Sequence, residues 1–485
     1  MKSKMKPMLP ELLFLAAIFV FLFLWAAVQP FDTSPDERMR YDIVKYLVEY
    51  GKLPHGGDPA IRDANWGISY AFNPILAYMI MAVFVKAAGF FTDQLQTLVM
   101  AARLVNILLG CATAFLLLRM GGYLFRRRGQ RWLFAALSML LPVTLFIFSY
   151  VNSDGLALFS TVLILLFWVR AMKGSWTWKN CAGLAVGISI CALSYYNAYG
   201  VILASVFFFG LDILVFRGRQ YQKGEKKSSR AVFLFQRGLV IAAIAAALAG
   251  WWFLRSYVIY DGDILGMKTS AMYSQMYAVE ELKPSNRYII ADTGMTVRDM
   301  LFFVPGNWEH NWLLTVAVSF VGTFGYMDVF MPYWLSKCYF LVFGLGLAGV
   351  LFTFRRTFFP YIRTSWTMKK QIGDQTLKIR CTQSQKEFRV KSLFHICLAL
   401  TAVIPMGLLI YYAYYSDFQA QGRYLLPGLP ALMYFVTLGL GNLLEKIVKK
   451  ERTRQWVCLA LCVLLAGAAV FTYGTVVWPH YAPLL

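Results

Sequence analysis

Charge is scarce in this chain: only 15% of its 485 residues are charged, and only 25 are Asp or Glu. An ordinary soluble domain carries about a quarter charged residues. So few cannot cover the water-facing surface of a protein this size, which excludes a soluble globular enzyme. Histidine is rarer still, and His55, His310, His395 and His480 lie far apart, against a histidine-rich metal centre. The eight cysteines form no Cys-x-x-Cys pair, and Cys458 and Cys462, one helical turn apart, read as packing residues. Neither a disulfide framework nor a zinc motif is visible, and no internal repeat or low-complexity segment stands out.

What fills the chain instead is apolar: 59% of its residues are hydrophobic, in several runs of the roughly 20 residues that cross a hydrocarbon core. The sequence therefore predicts an all-α polytopic membrane protein, since only closed hydrogen bonding is tolerated in lipid. The run from Met8 to Val28 follows Lys2, Lys4 and Lys6 without a small-residue cleavage site, and reads as a retained first span. A net charge of +22 invites a nucleic-acid reading, but its distribution argues for topology. Six basic clusters, at the N-terminus, 119–131, 170–179, 217–237, 355–391 and 446–454, hold 33 of the 47 Lys and Arg residues. Placing them in the cytoplasm satisfies the positive-inside rule.

That rule also sorts the spans. Residues 74–91 are apolar enough to cross, but a crossing there would turn Arg126, Arg127 and Arg128 outward. They are read as an interfacial helix within a first outer loop, 29–96, with Lys86 snorkelling. About eleven spans follow, near 8–28, 97–118, 132–151, 155–172, 180–196, 199–216, 238–259, 335–354, 393–415, 425–444 and 455–477. The N-terminus lies inside and the C-terminus outside. The expected divisions are a transmembrane module over 1–259, a long extracytoplasmic loop over 260–334, and C-terminal helices over 335–485. Within the loop 260–334 the apolar piece from Trp312 to Trp334 is expected to dip into the membrane and return, and 355–391 is expected to form a basic cytoplasmic loop facing anionic lipid.

Ionisable groups at the outer ends of spans are the candidates for chemistry. Asp36 and Glu37 follow the first span directly. Ser34, Pro35 and Glu37 match a capping box, so Glu37 fits either a cap or a catalyst. Asp36 is not needed for the box; Arg40, one turn on, is placed to orient it. The apolar stripe Ile43, Val44, Leu47 and Val48 predicts a helix lying on the membrane. Asn152-Ser153-Asp154-Gly155 is a short outer turn whose residues suit N-capping, while Asp154 is placed to share a cavity with Asp36. Arg423, beside Gly422, offers a planar donor fork suited to phosphate oxygens, with Arg103 and Arg255 as further outer cations.

These residues resemble the GT-C superfamily of membrane glycosyltransferases. Asp36-Glu37-Arg38-Met39-Arg40-Tyr41 is similar to the Asp-Glu-x-Arg-Tyr pattern of protein O-mannosyltransferases and aminoarabinose transferases, with one extra residue before Arg-Tyr. The stretch from Tyr70 to Tyr78, with Pro74, resembles their Pro-Leu-x-Tyr segment, with Phe72-Asn73 where the family often has His or Lys. Asn152-Ser153-Asp154 is similar to their second-loop acid. Gln421-Gly422-Arg423-Tyr424-Leu425-Leu426-Pro427 resembles instead a family of predicted bacterial membrane proteins without assigned activity.

The resemblance implies a GT-C-like bundle with interfacial helices in its first outer loop, in a bacterial plasma membrane. It implies transfer of a sugar, with inversion, from a polyprenyl-phosphate donor to an extracytoplasmic hydroxyl acceptor. Asp36 is then the expected base, with Glu37 and Asp154 as catalytic or supporting carboxylates. Arg423, Arg103 and Arg255 are the expected phosphate partners, and Arg40 and Tyr41 orient the base. No cofactor is implied with certainty, and a divalent metal held by carboxylates stays open. A flippase for lipid-linked sugars is the alternative, although transporters tend to show related halves, and a non-catalytic scaffold is a third reading.

Overall fold

The computed structural model describes residues 9–216, 229–307, 310–359, 361–372, 375–386 and 390–484. The N-terminal lysines and much of the basic cluster 217–237 lie outside the described residues.

Helix α1 (Leu9–Val28) is an unbroken apolar helix, and the loop after it carries α2 (Glu37–Tyr50) and α3 (Leu76–Ala88). Next come α4 (Leu95–Leu124), α5 (Arg128–Met139), α6 (Pro142–Ile147), α7 (Asp154–Lys173) and α8 (Trp178–Ala192). The first half closes with α9 (Tyr199–Leu211) and α10 (Arg230–Ile259). A second long loop holds α11 (Met267–Tyr277), α12 (Val297–Phe302) and α13 (Trp312–Gly322). Then follow α14 (Tyr333–Phe352), α15 (Phe354–Phe358), α16 (Val390–Tyr415), α17 (Leu429–Ile447) and α18 (Glu451–Thr472).

Among the described residues, nine helical stretches are long and apolar enough to cross a membrane. All eleven expected spans have a helical counterpart. Two fall short of a full span: 132–151 is broken at Leu140-Leu141-Pro142 into α5 and α6, and α8 has 15 residues. The break has a clear cause, because Pro142 lacks the N–H that a continuing helix requires and so starts a new one.

Helix α3 has 13 residues, about 20 Å of rise, and cannot cross a core of about 30 Å. The apolar stripe of α2 does not face lipid. Tyr41, Ile43 and Val44 pack with Tyr78, Met81 and Val85 of α3 and with Val99 and Ala102 of α4. The first loop is thus a folded cap sharing a core with the bundle. Helix α13 is short and largely buried, and a small hairpin pairing Thr323 with Phe330 returns the chain toward α14. Part of the basic loop 355–391 forms an antiparallel hairpin, Tyr361–Ile372 against Gln375–Lys386.

Candidate active site

Asp36 ends the turn after α1 in a left-handed backbone conformation, with φ at 58°. Such a φ is uncommon for a non-glycine residue, and aspartate is among the few that tolerate it. The expected capping box does not form. Ser34 Oγ donates to Gln29 Oε1 at 2.8 Å, and Asp36, not Ser34, occupies the N-cap position without a side-chain capping bond. The Glu37 carboxylate is drawn instead to Arg103, where a bidentate charged pair outcompetes a single capping bond.

Four of the predicted residues come together at the loop end of the bundle. Arg423 Nη2 lies 3.6 Å from Asp36 Oδ2, and Arg40 Nη2 lies 3.7 Å from the same oxygen. Arg40 Nη1 lies 3.7 Å from Asp154 Oδ2, so Arg40 bridges the two carboxylates. Arg40 and Asp154 are almost wholly buried, whereas Asp36 keeps 25% of its side chain exposed. The cluster therefore has a deep charged floor and one accessible carboxylate.

Local structure explains each placement. Arg40 sits one turn into α2 on its buried side. Asp154 opens α7 because Asn152 closes the preceding turn: its Oδ1 accepts from Gly155 N at 3.0 Å, and its amide donates to the Ile147 and Tyr150 carbonyls. Arg423 lies in a 3-10 segment, Gly422–Gly428, pressed against α13. A Cβ on Gly422 would collide with the Phe320 backbone, so glycine is required there for close approach rather than for flexibility. Gly422 N also donates to Ser319 Oγ at 2.8 Å, fixing the segment that aims Arg423.

Two tyrosines complete the cluster. Tyr70 Oη donates to Asp36 Oδ2 at 2.8 Å, and Arg423 Nη1 donates to Tyr150 Oη at 3.2 Å. The Arg40 guanidinium stands 4.8 Å from the Tyr70 ring centre, a cation–π distance. Neither tyrosine stands out in the sequence, because one tyrosine among 28 carries no signal before folding.

The electrostatic balance at Asp36 is clear. Burial alone would raise its carboxyl, but the Arg40 and Arg423 guanidinium groups and the Tyr70 hydroxyl outweigh it. Together they hold the group below its ordinary value of 3.8. Several buried polar atoms in and beside the cluster have no hydrogen-bond partner among the described residues: Arg40 Nε and Nη1, Asp154 Oδ1, Arg423 Nε and Gln421 Oε1. Such atoms are costly in a protein interior and give a polar ligand groups to satisfy.

The other predicted residues sit elsewhere. All five N–H donors of Arg103 are engaged: two with the Glu37 oxygens, three with the carbonyls of Ala26, Gln29 and Pro30. Glu37 also accepts from Val151 N at 3.0 Å. This pair ties the first loop to α1, α4 and the turn before α7, leaving Arg103 no donor for a phosphate. Arg255 holds the Leu53 and Pro54 carbonyls. Tyr41 packs against Phe31 and does not enter the cluster. Among the described residues, no three His, Cys, Asp or Glu side chains gather in a way that could hold a metal.

The bundle, with its folded first loop and long loop after α10, has the fold of the GT-C membrane glycosyltransferases. The apo oligosaccharyltransferase of Archaeoglobus fulgidus matches with a TM-score of 0.54 at 13% identity, over 97% of this chain and 56% of that one. The same archaeon's AglB, in complex with an inhibitory peptide and a dolichol-phosphate, matches with a TM-score of 0.52 at 13% identity, over 97% and 56%. ArnT from Cupriavidus metallidurans, bound to undecaprenyl phosphate, matches with a TM-score of 0.50 at 14% identity, over 97% and 73%. The chain thus spans little more than half the length of the oligosaccharyltransferase. No curated protein matches it in sequence. Residues 61–432 match the family of predicted membrane proteins called DUF2142, and the chain belongs to that family.

Proposed function

We propose that this protein is a membrane glycosyltransferase that moves a sugar from a polyprenyl-phosphate donor to a hydroxyl acceptor on the extracytoplasmic side of a bacterial plasma membrane. The observation that carries the reading is the meeting of Asp36 with Arg423 and Arg40 at the loop end of a GT-C bundle. A lipid phosphate with its tail among the helices would present its head to this point.

The acceptor hydroxyl is a poor nucleophile and needs a base; Asp36, ionised and partly exposed, takes that proton. Attack at C1 forms the new glycosidic bond as the bond from C1 to the phosphate oxygen breaks. One base on the face opposite the leaving group gives inversion. The leaving phosphate already carries stable charge, so it calls for cations more than for an acid. Arg423 supplies them through its fork, while Asp154 holds Arg40 in place beneath Asp36.

The test is turnover of a radiolabelled prenyl-phosphate sugar by the purified protein in liposomes, with mixed hydroxyl acceptors. Sugar transfer that requires Asp36 supports the proposal. Movement of intact lipid-linked sugar across the bilayer without bond cleavage would identify a flippase instead, and neither activity would leave a scaffold.

A further inference from the structure

The three partners of the Asp36 carboxylate all converge on one of its oxygens. Tyr70 Oη donates to Oδ2, and the Arg423 and Arg40 contacts also fall on Oδ2. Among the described residues, Oδ1 has no hydrogen-bond partner. The two ends of this carboxylate are therefore unlike: one is anchored, the other is open.

The anchors are also unlike each other. A phosphate arriving at Arg423 competes with Asp36 for its guanidinium group, while Arg40 stays buried against Asp154. The Tyr70 hydroxyl is neutral and does not follow the phosphate. At 2.8 Å it is also nearer to Oδ2 than either arginine, at 3.6 and 3.7 Å, and it continues to hold that oxygen once Arg423 is drawn away. Its own position is fixed from two sides. Ser69 caps the short turn Tyr70–Phe72 and donates to the Gly56 carbonyl at 2.6 Å, while Phe72 is buried beside Tyr260 and Tyr273. Asp36 itself has an unusual backbone conformation, so the aim of its side chain depends on such a partner.

We infer that Tyr70 is the positioning residue of the base: it anchors Asp36 Oδ2 so that Oδ1 faces the acceptor hydroxyl while the donor phosphate occupies Arg423. The inference rests on the reading of Asp36 as base. In the transfer step, Oδ1 takes the acceptor proton and Tyr70 keeps its own.

The experiment uses the full chain in lipid nanodiscs. Tyr70→Phe removes the hydroxyl and keeps the ring beneath Arg40. Turnover should fall about tenfold or more, the size of one hydrogen bond to a charged group, with donor KM unchanged. The acid limb of the pH profile should move up, because the hydroxyl no longer favours the carboxylate. Replacing Tyr70 with 3-fluorotyrosine, a stronger donor of unchanged shape, should move the limb down. The Asp36 carboxyl band in infrared titration, identified by its loss in Asp36→Asn, reads the same shifts without any turnover. An Asp36 titration that neither substitution moves would overturn the anchoring. A titration that moves while Asp36→Asn retains full turnover would leave the anchor standing and remove the base. Wild-type kcat in Tyr70→Phe, with Asp36→Asn inactive, would overturn the positioning role alone.

Discussion

Arg103 meets Glu37 fork to fork, with Nε 2.9 Å from Oε1 and Nη2 2.7 Å from Oε2, and at most 3% of either side chain is exposed. The two adjacent carboxylates of the first loop are thereby divided: Glu37 is locked into the bundle, and Asp36 is presented at its mouth. Removing one partner of such a pair leaves a charge buried without compensation. Glu37→Gln is expected to cost about 3–5 kcal/mol of stability, read as a lower melting temperature and a smaller folded yield in detergent. A melting curve like that of the wild type would show that the pair is not a structural tie.

Asp36→Asn should behave in the opposite way. Asparagine tolerates the same left-handed backbone, so the turn keeps its shape. On the proposed mechanism this removes the base, and sugar transfer should fall about a hundredfold or more while the melting temperature falls far less than in Glu37→Gln. Turnover within a few-fold of wild type would remove Asp36 from the chemistry.

Arg423→Ala takes away the cation nearest the exposed carboxylate. Prenyl-phosphate binding is expected to weaken markedly, and with it the thermal stabilisation that the lipid gives the wild type. At a hundredfold excess over Kd a ligand is worth about 2.7 kcal/mol, a shift readily seen in a melt. Equal stabilisation of wild type and variant by the lipid would place the phosphate elsewhere.

The acid limb of kcat/KM should lie below 3.8, because the folded Asp36 carboxyl is held under that value and a base must be ionised to work. The sign follows from linkage. A lowered folded value stabilises the protein above the unfolded value, and that contribution is lost as pH falls through the folded one. On the proposed mechanism the bound donor phosphate draws the Arg423 guanidinium away, so the limb of kcat should sit at higher pH than that of kcat/KM. Coincident limbs, or a limb near 6, would assign the titration to another group.

Much of this was legible before folding. Long apolar runs and the placement of basic clusters predicted the helices and their order, because the hydrocarbon thickness and the positive-inside rule act on local composition. Asp36, Arg40, Asp154 and Arg423 stand out in the sequence by their positions at helix mouths, and in the structure they meet. The capping-box pattern does not form a cap, since Ser34 and Glu37 have better partners in Gln29 and Arg103. The stripe of α2 was assigned to lipid, whereas α3 and α4 offered an equally apolar surface that a pattern cannot tell from a membrane.

By itself, then, the sequence determined an α-helical membrane bundle, the two long loops at one end, and a short set of charged residues at their edges. Only the tertiary structure decided which carboxylate meets which arginine. It paired Glu37 with Arg103, left Asp36 facing outward, and recruited Tyr70 and Tyr150. Local pattern fixes which side of a helix is apolar and roughly how long its apolar run is. Pairing between helices depends on distances of a few ångströms between segments remote in the chain, and those exist only once the bundle has closed.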